Sequence, residues 1–196
     1  MDDRQDNQSH FIHVFSTPLT SMSGAIDLLR NPKRTTADPV TGDLLEILAR
    51  SCARLNQNID ALLAHSQIRG EIVEIVVPLY MLLGAPEPPK HCSPPAASLV
   101  ESSADMATAA FGSPLTAIHR AIDLLRHPHC VADDTVTRTL LDILEGSCAR
   151  LSYAVAVLLE NSQIDGDAIK LTVPLHKLGI IDESSVKDDR GLRAQD

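Results

Sequence analysis

The amino-acid sequence repeats itself, and this repeat constrains the fold more than any other feature. The segment FSTPLTSMSGAIDLLRNP, which begins at Phe15, returns as FGSPLTAIHRAIDLLRHP at Phe111, a shift of 96 residues. The same shift aligns LLEILARSCARL with LLDILEGSCARL and LLAHSQIRG with LLENSQIDG without a gap. A unit that is repeated in one chain buries its apolar face by packing against its neighbour. We therefore expect two similar halves that pack together.

A segment rich in proline and small residues, GAPEPPKHCSPPAAS, separates the two copies. This composition is typical of an extended and partly stiff linker. We predict a first unit at residues 8–80, a linker at 81–104 and a second unit at 105–180. The last residues, 181–196, are polar and charged without an apolar period, and we predict that they are disordered.

Composition and charge narrow the class of protein. The chain is 44% hydrophobic and 22% charged with a mean hydropathy of +0.01, as in a soluble globular protein. Only 3% of residues are aromatic and none is Trp, which favours helix packing over a β-sandwich. A net charge of -9 repels nucleic acid and anionic lipid, so we expect neither as a partner. With no leader or membrane span in the sequence, we expect a cytoplasmic protein.

Apolar residues recur at helical spacing in both copies. Alternating steps of three and four residues are typical of helices that pack in a left-handed bundle. Each copy contains two such rows of apolar residues, which we call seams, one on each predicted helix. The seam of the first helix comprises Ile12, Phe15, Leu19, Met22, Ile26 and Leu29 in the first copy, and Phe111, Leu115, Ile118, Ile122 and Leu125 in the second. The seam of the second helix comprises Leu45, Leu48, Cys52, Leu55, Ile59 and Leu62 in the first copy, and Leu141, Leu144, Cys148, Leu151, Val155 and Leu158 in the second.

Proline, glycine and aspartate mark the expected helix ends. Each copy is predicted to be a helical hairpin, and the two hairpins to pack as one all-α, single-chain four-helix bundle. After each hairpin the apolar residues alternate like short strands, whose pairing the sequence leaves open. The marks are Asn31-Pro32 and His127-Pro128 as stops, Asp38-Pro39 and Asp134 as N-caps, and Gly70 and Gly166 as C-caps of the second helices; the strand residues are Val73, Ile75, Val77, Ile169, Leu171 and Val173.

The cysteine and histidine pattern gives little support to a metal or redox site. The four cysteines form no Cys-x-x-Cys pair, and two of them, Cys52 and Cys148, fall on the predicted apolar seams. The closest approach to a ligand cluster is His127-x-His129-Cys130, in a predicted loop. We predict no metal site.

The run His13-Val14-Phe15-Ser16-Thr17-Pro18-Leu19-Thr20, with the later Arg54-Leu55 and Leu62-Leu63-x-x-Ser66 motifs, resembles a known family. It is similar to the dimerisation and histidine-phosphotransfer domain of sensor histidine kinases, whose H-box reads His-Glu-Leu-Arg-Thr-Pro-Leu-Thr. The resemblance covers about 65 residues of each copy. It implies helical hairpins that pair as a four-helix bundle, with a proline bending the first helix. Since both hairpins lie in one chain, we infer a monomeric pseudo-dimer.

The chain departs from this family at two positions that matter for phosphorylation. His13 stands five residues before Pro18, where the family carries the phospho-accepting histidine, but the second copy has Ala109 there. The acidic neighbour that assists the family's histidine is replaced by Val14. The chain also shows no Asn- and Gly-rich ATP-binding domain after either copy. We therefore expect a histidine phosphotransferase at most, and not a self-sufficient kinase.

The resemblance also implies a role for the residues that follow His13 on the first helix. Thr17 lies one turn further along the same face, where the family orients water for dephosphorylation of the receiver, and Ser113 is its counterpart. The implied receiver-binding surface comprises small residues, whereas the second copy carries the bulkier Arg120. These receiver-binding residues are Ser16, Thr20, Ser21 and Gly24.

Two functions remain open at this stage. In the first, His13 exchanges a phosphoryl group with a response-regulator receiver domain. No cofactor is expected in this chain, because the receiver would bring the Mg²⁺. In the second, the degenerate bundle is a non-catalytic scaffold or inhibitor that binds a receiver or a histidine kinase. Acid-labile phosphate on His13 separates the two.

Overall fold

A computed structural model describes residues 2–31, 39–83, 99–127, 130, 134–160, 162–165 and 168–179. Its elements follow the same order in both halves of the sequence, two long helices and then two strands. The first half contains α1 (Asp2–Leu29), α2 (Pro39–Ala64), β1 (Ser66–Arg69), β2 (Ile72–Pro78) and a short α3 (Leu79–Leu83). The second contains α4 (Leu99–Leu125), α5 (Thr135–Glu160), β3 (Ser162–Asp165), β4 (Ala168–Pro174) and a 3₁₀ helix (Leu175–Leu178).

The predicted apolar seams form the core, with one correction. All seam residues of α2, α4 and α5 are buried, including Cys52 and Cys148. On α1 the seam begins at Phe11, which is 0% exposed, and not at Ile12, which is 38% exposed. The Phe11 ring packs edge-on against Phe15, with ring centroids 5.4 Å apart and planes at 73°. Phe11 and Ile12 both fit the helical spacing that leads to Phe15. The structure buries Phe11, whose ring contacts the ring of Phe15.

The four long helices pack around one continuous hydrophobic core. α1 lies along α5, and α2 lies along α4, and these contacts between halves are more extensive than those within each hairpin. α1 also contacts α2, and α4 contacts α5, which closes the ring of four helices. The first helix of one half therefore has the second helix of the other half as its main neighbour.

A small antiparallel sheet corrects the prediction of an all-α fold. Its strand order is β1-β2-β4-β3, so the strands of both halves join in one sheet. The central pair places Ile75 opposite Leu171, which occupy equivalent positions of the repeat, with Val73 opposite Val173 and Val77 opposite Ile169. This register is that of two copies of one strand related by a local twofold axis. The predicted alternation is confirmed, since Val73, Ile75 and Val77 are buried.

The helix ends agree with the sequence in part. Asp134 is the N-cap of α5, because its Oδ1 accepts the Thr137 backbone N–H at 2.7 Å, and Pro39 is the first residue of α2. The prediction that Gly70 caps α2 is wrong, since that helix ends at Ala64. Gly70, with φ of +64°, lies instead in the two-residue turn between β1 and β2, whose positive φ at its first position only is the pattern of a type II′ turn.

Some predictions concern residues that the structure does not describe. Asp38 and Gly166 lie outside the described residues, as does the tail at 181–196. The predicted linker at 81–104 is partly helical, because α3 extends to Leu83 and α4 begins at Leu99. The residues between these two helices are outside the description.

Candidate functional site

Helix α1 presents His13 and Thr17 together on its exposed face. Both side chains are exposed, whereas Phe11, Phe15 and Leu19 point into the core. Residues four positions apart are neighbours on a helix surface, so the imidazole and the hydroxyl lie one turn apart. The structure thus places the two residues predicted to carry the chemistry on one accessible strip.

A groove of about 760 Å³ runs beside this strip, and both halves of the chain form it. The first half contributes α1. The second half contributes α5, the end of the 3₁₀ helix and the glycine that follows it. The lining residues are His10, His13, Val14, Thr17 and Pro18 from α1, Ala149, Arg150, Tyr153 and Ala154 from α5, and Leu178 and Gly179.

The prolines of α1 and α4 leave a backbone carbonyl without its usual partner. Proline has no N–H, so the carbonyl four residues earlier receives no α-helical hydrogen bond from it. In the second half this carbonyl belongs to Ala110, and the Asn58 side chain supplies the missing donor, with Nδ2 2.7 Å from the oxygen. Asn58 is 2% exposed, so this hydrogen bond is part of the core.

The groove beside His13 lacks this amide. The corresponding carbonyl on α1 is that of Val14, and the residue equivalent to Asn58 in the repeat is Ala154. Both residues line the groove, and no side chain of the described residues donates to that carbonyl. The Ala110 carbonyl thus receives an amide donor, whereas the Val14 carbonyl beside the groove receives no donor from a described side chain.

The predicted receiver-binding residues follow His13 along α1 and have short side chains. The Thr20 hydroxyl donates back to the Ser16 carbonyl at 2.9 Å, and the Ser21 hydroxyl donates to the Thr17 carbonyl at 3.0 Å. Gly24 is exposed, and a Cβ added there would meet no atom within 4 Å. Ser16 itself is only partly exposed. Thr20, Ser21 and Gly24 therefore offer a surface that another protein can approach closely.

The equivalent face of the second half differs in its chemistry. Ala109 replaces the histidine and is exposed, and Ser113 keeps a hydroxyl at the Thr17 position. Arg120 is exposed at the position of Gly24. The structure thus places the predicted differences between the two faces on the surface, where a partner would meet them.

The groove beside His13 contains a cation, the Arg150 guanidinium, although the chain is acidic. Its lining contains a guanidinium and two imidazoles, and none of the described residues that line it is a carboxylate. Acidic side chains pair with arginine elsewhere: Arg30 meets Glu46 at 3.2 Å, and Arg126 pairs with Asp142 at 2.9 Å and also with Glu145. In a chain of net charge -9, this groove is a local site suited to an anion.

The buried cysteines pack in the core, as predicted. Burial raises the pKa of the Cys148 thiol to about 12 and also raises the pKa of Cys52. Cys148 Sγ lies 3.2 Å from Nδ1 of His119, and Cys52 Sγ lies 3.7 Å from the hydroxyl of Ser23, which is the residue equivalent to His119. Both thiols are held protonated at neutral pH and are poor nucleophiles.

The sequence prediction missed the second wall of the groove. Arg150 and Tyr153 belong to the other half of the chain, and no local motif connects them with His13. The repeat does contain a signal, because Arg150 precedes Leu151 as Arg54 precedes Leu55 in the family-like motif. That signal places Arg150 beside His13 only if α5 is known to pack on α1, and the sequence alone does not show this packing.

The described residues contain neither a metal-ligand cluster nor a membrane-spanning helix. No group of three or more histidine, cysteine, aspartate or glutamate side chains there is arranged to hold a metal ion. Among the helices of the described part of the chain, none is both long and apolar enough to cross a membrane.

Comparison with known proteins supports the resemblance for the first half. Residues 9–71 match the His Kinase A (phospho-acceptor) domain family, a range that includes α1 from Ser9 onward and all of α2. No curated protein and no solved structure gives a significant match. The match supports a domain of the dimerisation and histidine-phosphotransfer type at residues 9–71, and with it a part in two-component signalling.

Proposed function

We propose that His13 exchanges a phosphoryl group with the aspartate of a response-regulator receiver domain. One observation carries this proposal: His13, which lies within the residues that match the family, is exposed on α1 beside an open groove that Arg150 also lines. Thr17, one turn further along, is equally accessible. A receiver can therefore reach both groups without any rearrangement of the helices.

The exchange needs no chemistry beyond these groups and the receiver. An imidazole nitrogen of His13 attacks the phosphorus of the receiver's aspartyl phosphate. The P–N bond forms as the P–O bond to the aspartate breaks, and the aspartate leaves as a carboxylate. The reverse reaction regenerates the aspartyl phosphate. The receiver's acidic pocket brings the Mg²⁺ that neutralises charge on the transferring group.

We also propose that the helical body is a single-chain pseudo-dimer of two such domains. The element order repeats in the two halves, each first helix packs mainly on the second helix of the other half, and β2 pairs with β4 about a local twofold axis. These are the contacts expected where two identical subunits would meet. Since both subunits lie in one chain, the pseudo-dimer is monomeric in solution.

A second candidate is a non-catalytic scaffold or inhibitor, and Val14 favours it. The family's acidic neighbour would assist the histidine, but this valine is half-buried and lines the groove. Ala109 removes the histidine from the other face altogether. Such a protein would bind a receiver, or a histidine kinase, through the same surface without transferring phosphate.

The test mixes the protein with phosphorylated receiver domains from the same genome and follows the phosphate. Acid-labile label that appears on the wild-type protein and not on His13→Ala supports transfer. Binding without label supports the scaffold. Titration that detects no complex with any receiver contradicts receiver docking in either form.

A matched pair of variants tests where the receiver docks. Gly24→Ala adds only a methyl group with no atom within 4 Å, whereas Gly24→Arg projects a long side chain from the same position, as Arg120 does in the other half. Both substitutions raise helix propensity, so the fold is retained. We expect Gly24→Ala to bind a receiver like the wild type and Gly24→Arg to bind more weakly. Equal binding by the two variants would place the docking surface elsewhere.

A further inference from the structure

The groove beside His13 joins a nucleophile from one half of the chain to a permanent cation from the other. His13 lies on α1, and Arg150 lies on α5, which is the main neighbour of α1. A guanidinium is a permanent cation in proteins. Arg150 is the one arginine or lysine among the described residues of the lining.

Arg150 is free to turn toward a ligand. It is exposed, and its Nε donates to the backbone carbonyl of Gly146 on its own helix at 3.3 Å. Within the described residues it forms no ion pair, unlike Arg50, which pairs with Glu46 at 3.3 Å. A single exposed hydrogen bond of this length costs little to exchange for a bond to an anion.

We propose that Arg150 binds the phosphoryl group carried by His13, so that the second half of the chain completes the phospho-site of the first. This proposal rests on the proposed function, because it assigns a counter-cation to phosphohistidine. Guanidinium groups bind phosphoryl oxygens with two parallel N–H donors, which makes arginine better suited to this task than lysine. His13 and Arg150 both line the groove between α1 and α5.

The repeat provides a matched control within the same chain. Arg54, on α2, is equivalent to Arg150 and is also exposed, but α4, the main neighbour of α2, has Ala109 at the position of the histidine. Under the proposal, Arg150 is needed for the phosphate and Arg54 is not. A general effect of surface charge, or of the Arg-Leu motif on helix packing, would affect both positions alike.

The experiment uses a small phosphodonor, so that it does not depend on finding the partner. Phosphoramidate transfers its phosphoryl group to histidine: the P–N bond to ammonia breaks, the P–N bond to the imidazole forms, and the ammonia leaves as ammonium with the proton that the imidazole gives up. The label on His13 is measured by ³¹P NMR as the signal absent from His13→Ala. Arg150→Gln, Arg150→Lys and Arg54→Gln are compared with the wild type, together with their thermal unfolding.

We expect Arg150→Gln to slow labelling of His13 about tenfold, the factor that corresponds to loss of one charge-assisted hydrogen bond. Arg150→Lys should recover part of the rate, and Arg54→Gln should match the wild type. All three should unfold at the wild-type temperature, because both arginines are exposed. A folding defect would not produce this ranking.

The outcomes separate this inference from the proposed function. If His13 is labelled equally in wild type and Arg150→Gln, or if Arg54→Gln slows labelling as much, the role of Arg150 is overturned and the phospho-site remains. If His13 is labelled with the expected ranking but never exchanges phosphate with a receiver, the proposed function fails and the phosphoryl site stands. If His13 takes no label at all, both are overturned.

Discussion

Replacing Asn58 with alanine should destabilise the protein, because the substitution leaves a buried carbonyl oxygen without a donor. Asn58 donates to the Ala110 carbonyl at 2.7 Å, and both residues are buried. Pro114 offers no N–H to that carbonyl. An unpaired polar group in a core costs about 1–3 kcal/mol. With a urea dependence of about 1–3 kcal/mol per molar, a loss of about 2 kcal/mol lowers the midpoint of urea unfolding by roughly 1 M.

The assay is urea unfolding followed by circular dichroism at the helix signal. Gln57→Ala is the control, because Gln57 is the exposed neighbour of Asn58 on the same helix and its loss should change stability by about 0.5 kcal/mol or less. A double-mutant cycle then tests the cause. With Pro114→Ala, the residue at position 114 has an N–H that can donate to the Ala110 carbonyl. Asn58→Ala should cost about 1 kcal/mol less in that background.

Two results would refute this reasoning. If Asn58→Ala is as stable as Gln57→Ala, the carbonyl freed by the proline does not depend on the amide. If the cost of Asn58→Ala is the same with and without Pro114, the destabilisation comes from lost packing and not from the hydrogen bond.

Three further predictions follow from the same core. Ala154→Asn, the reciprocal change beside the Val14 carbonyl, should stabilise the protein by about 0.5–1.5 kcal/mol in urea unfolding, and a loss of stability would show that no donor is needed there. Leu55→Asp should unfold the protein, seen as loss of cooperative thermal melting, because it places a carboxylate at a position that is 0% exposed. Burial raises the pKa of Cys148 from 9.0 to about 12, so the unfolded chain loses this proton first and stability falls between these pH values. In Cys148→Ala the free energy of unfolding should fall less steeply over that range, by up to about 1.4 kcal/mol per pH unit, and equal slopes would contradict the raised pKa.

The sequence predicted which side of each helix is buried, but it did not predict which helix packs against that side. Residues such as Leu48 and Leu144 follow a period that says which side of a helix is buried, and both are in the core. The same period does not say which helix covers that side. It also does not choose between Phe11 and Ile12, which are adjacent and both apolar, because the choice depends on what each would meet across the core.

The pairing of the strands in the sheet could not be predicted from the sequence either. Alternation of Val73, Ile75 and Val77 indicates a strand with one buried face but carries no information on its neighbour. The register between Ile75 and Leu171 follows from the relation of the two halves, which only the folded chain shows. The helical run before Gly70 predicts a helix cap there, but the short strand β1 lies between Ala64 and the turn, and no apolar alternation in the sequence marks it.

The site was predictable where its residues are close in sequence. His13 and Thr17 lie within one motif on one helix, and both are exposed as expected. Arg150 comes from a distant part of the chain and reaches the groove only because α5 packs on α1. A motif can therefore indicate a candidate residue such as His13, but the groups that surround it depend on helix order.

Covalent linkage of the two halves explains how their two faces can differ. In a symmetric homodimer every substitution occurs twice, so a change that closes one groove also closes the other. In this chain Asn58 donates to the proline-freed carbonyl on the side of Ala109, while Ala154 provides no donor on the side of His13. Equivalent positions of the two halves therefore differ, because one supplies a stabilising hydrogen bond and the other lines the groove beside the histidine. Exchanging the residues at positions 58 and 154 should move the amide to the side of His13 and fill part of that groove, which would test whether access to His13 depends on the small side chain of Ala154.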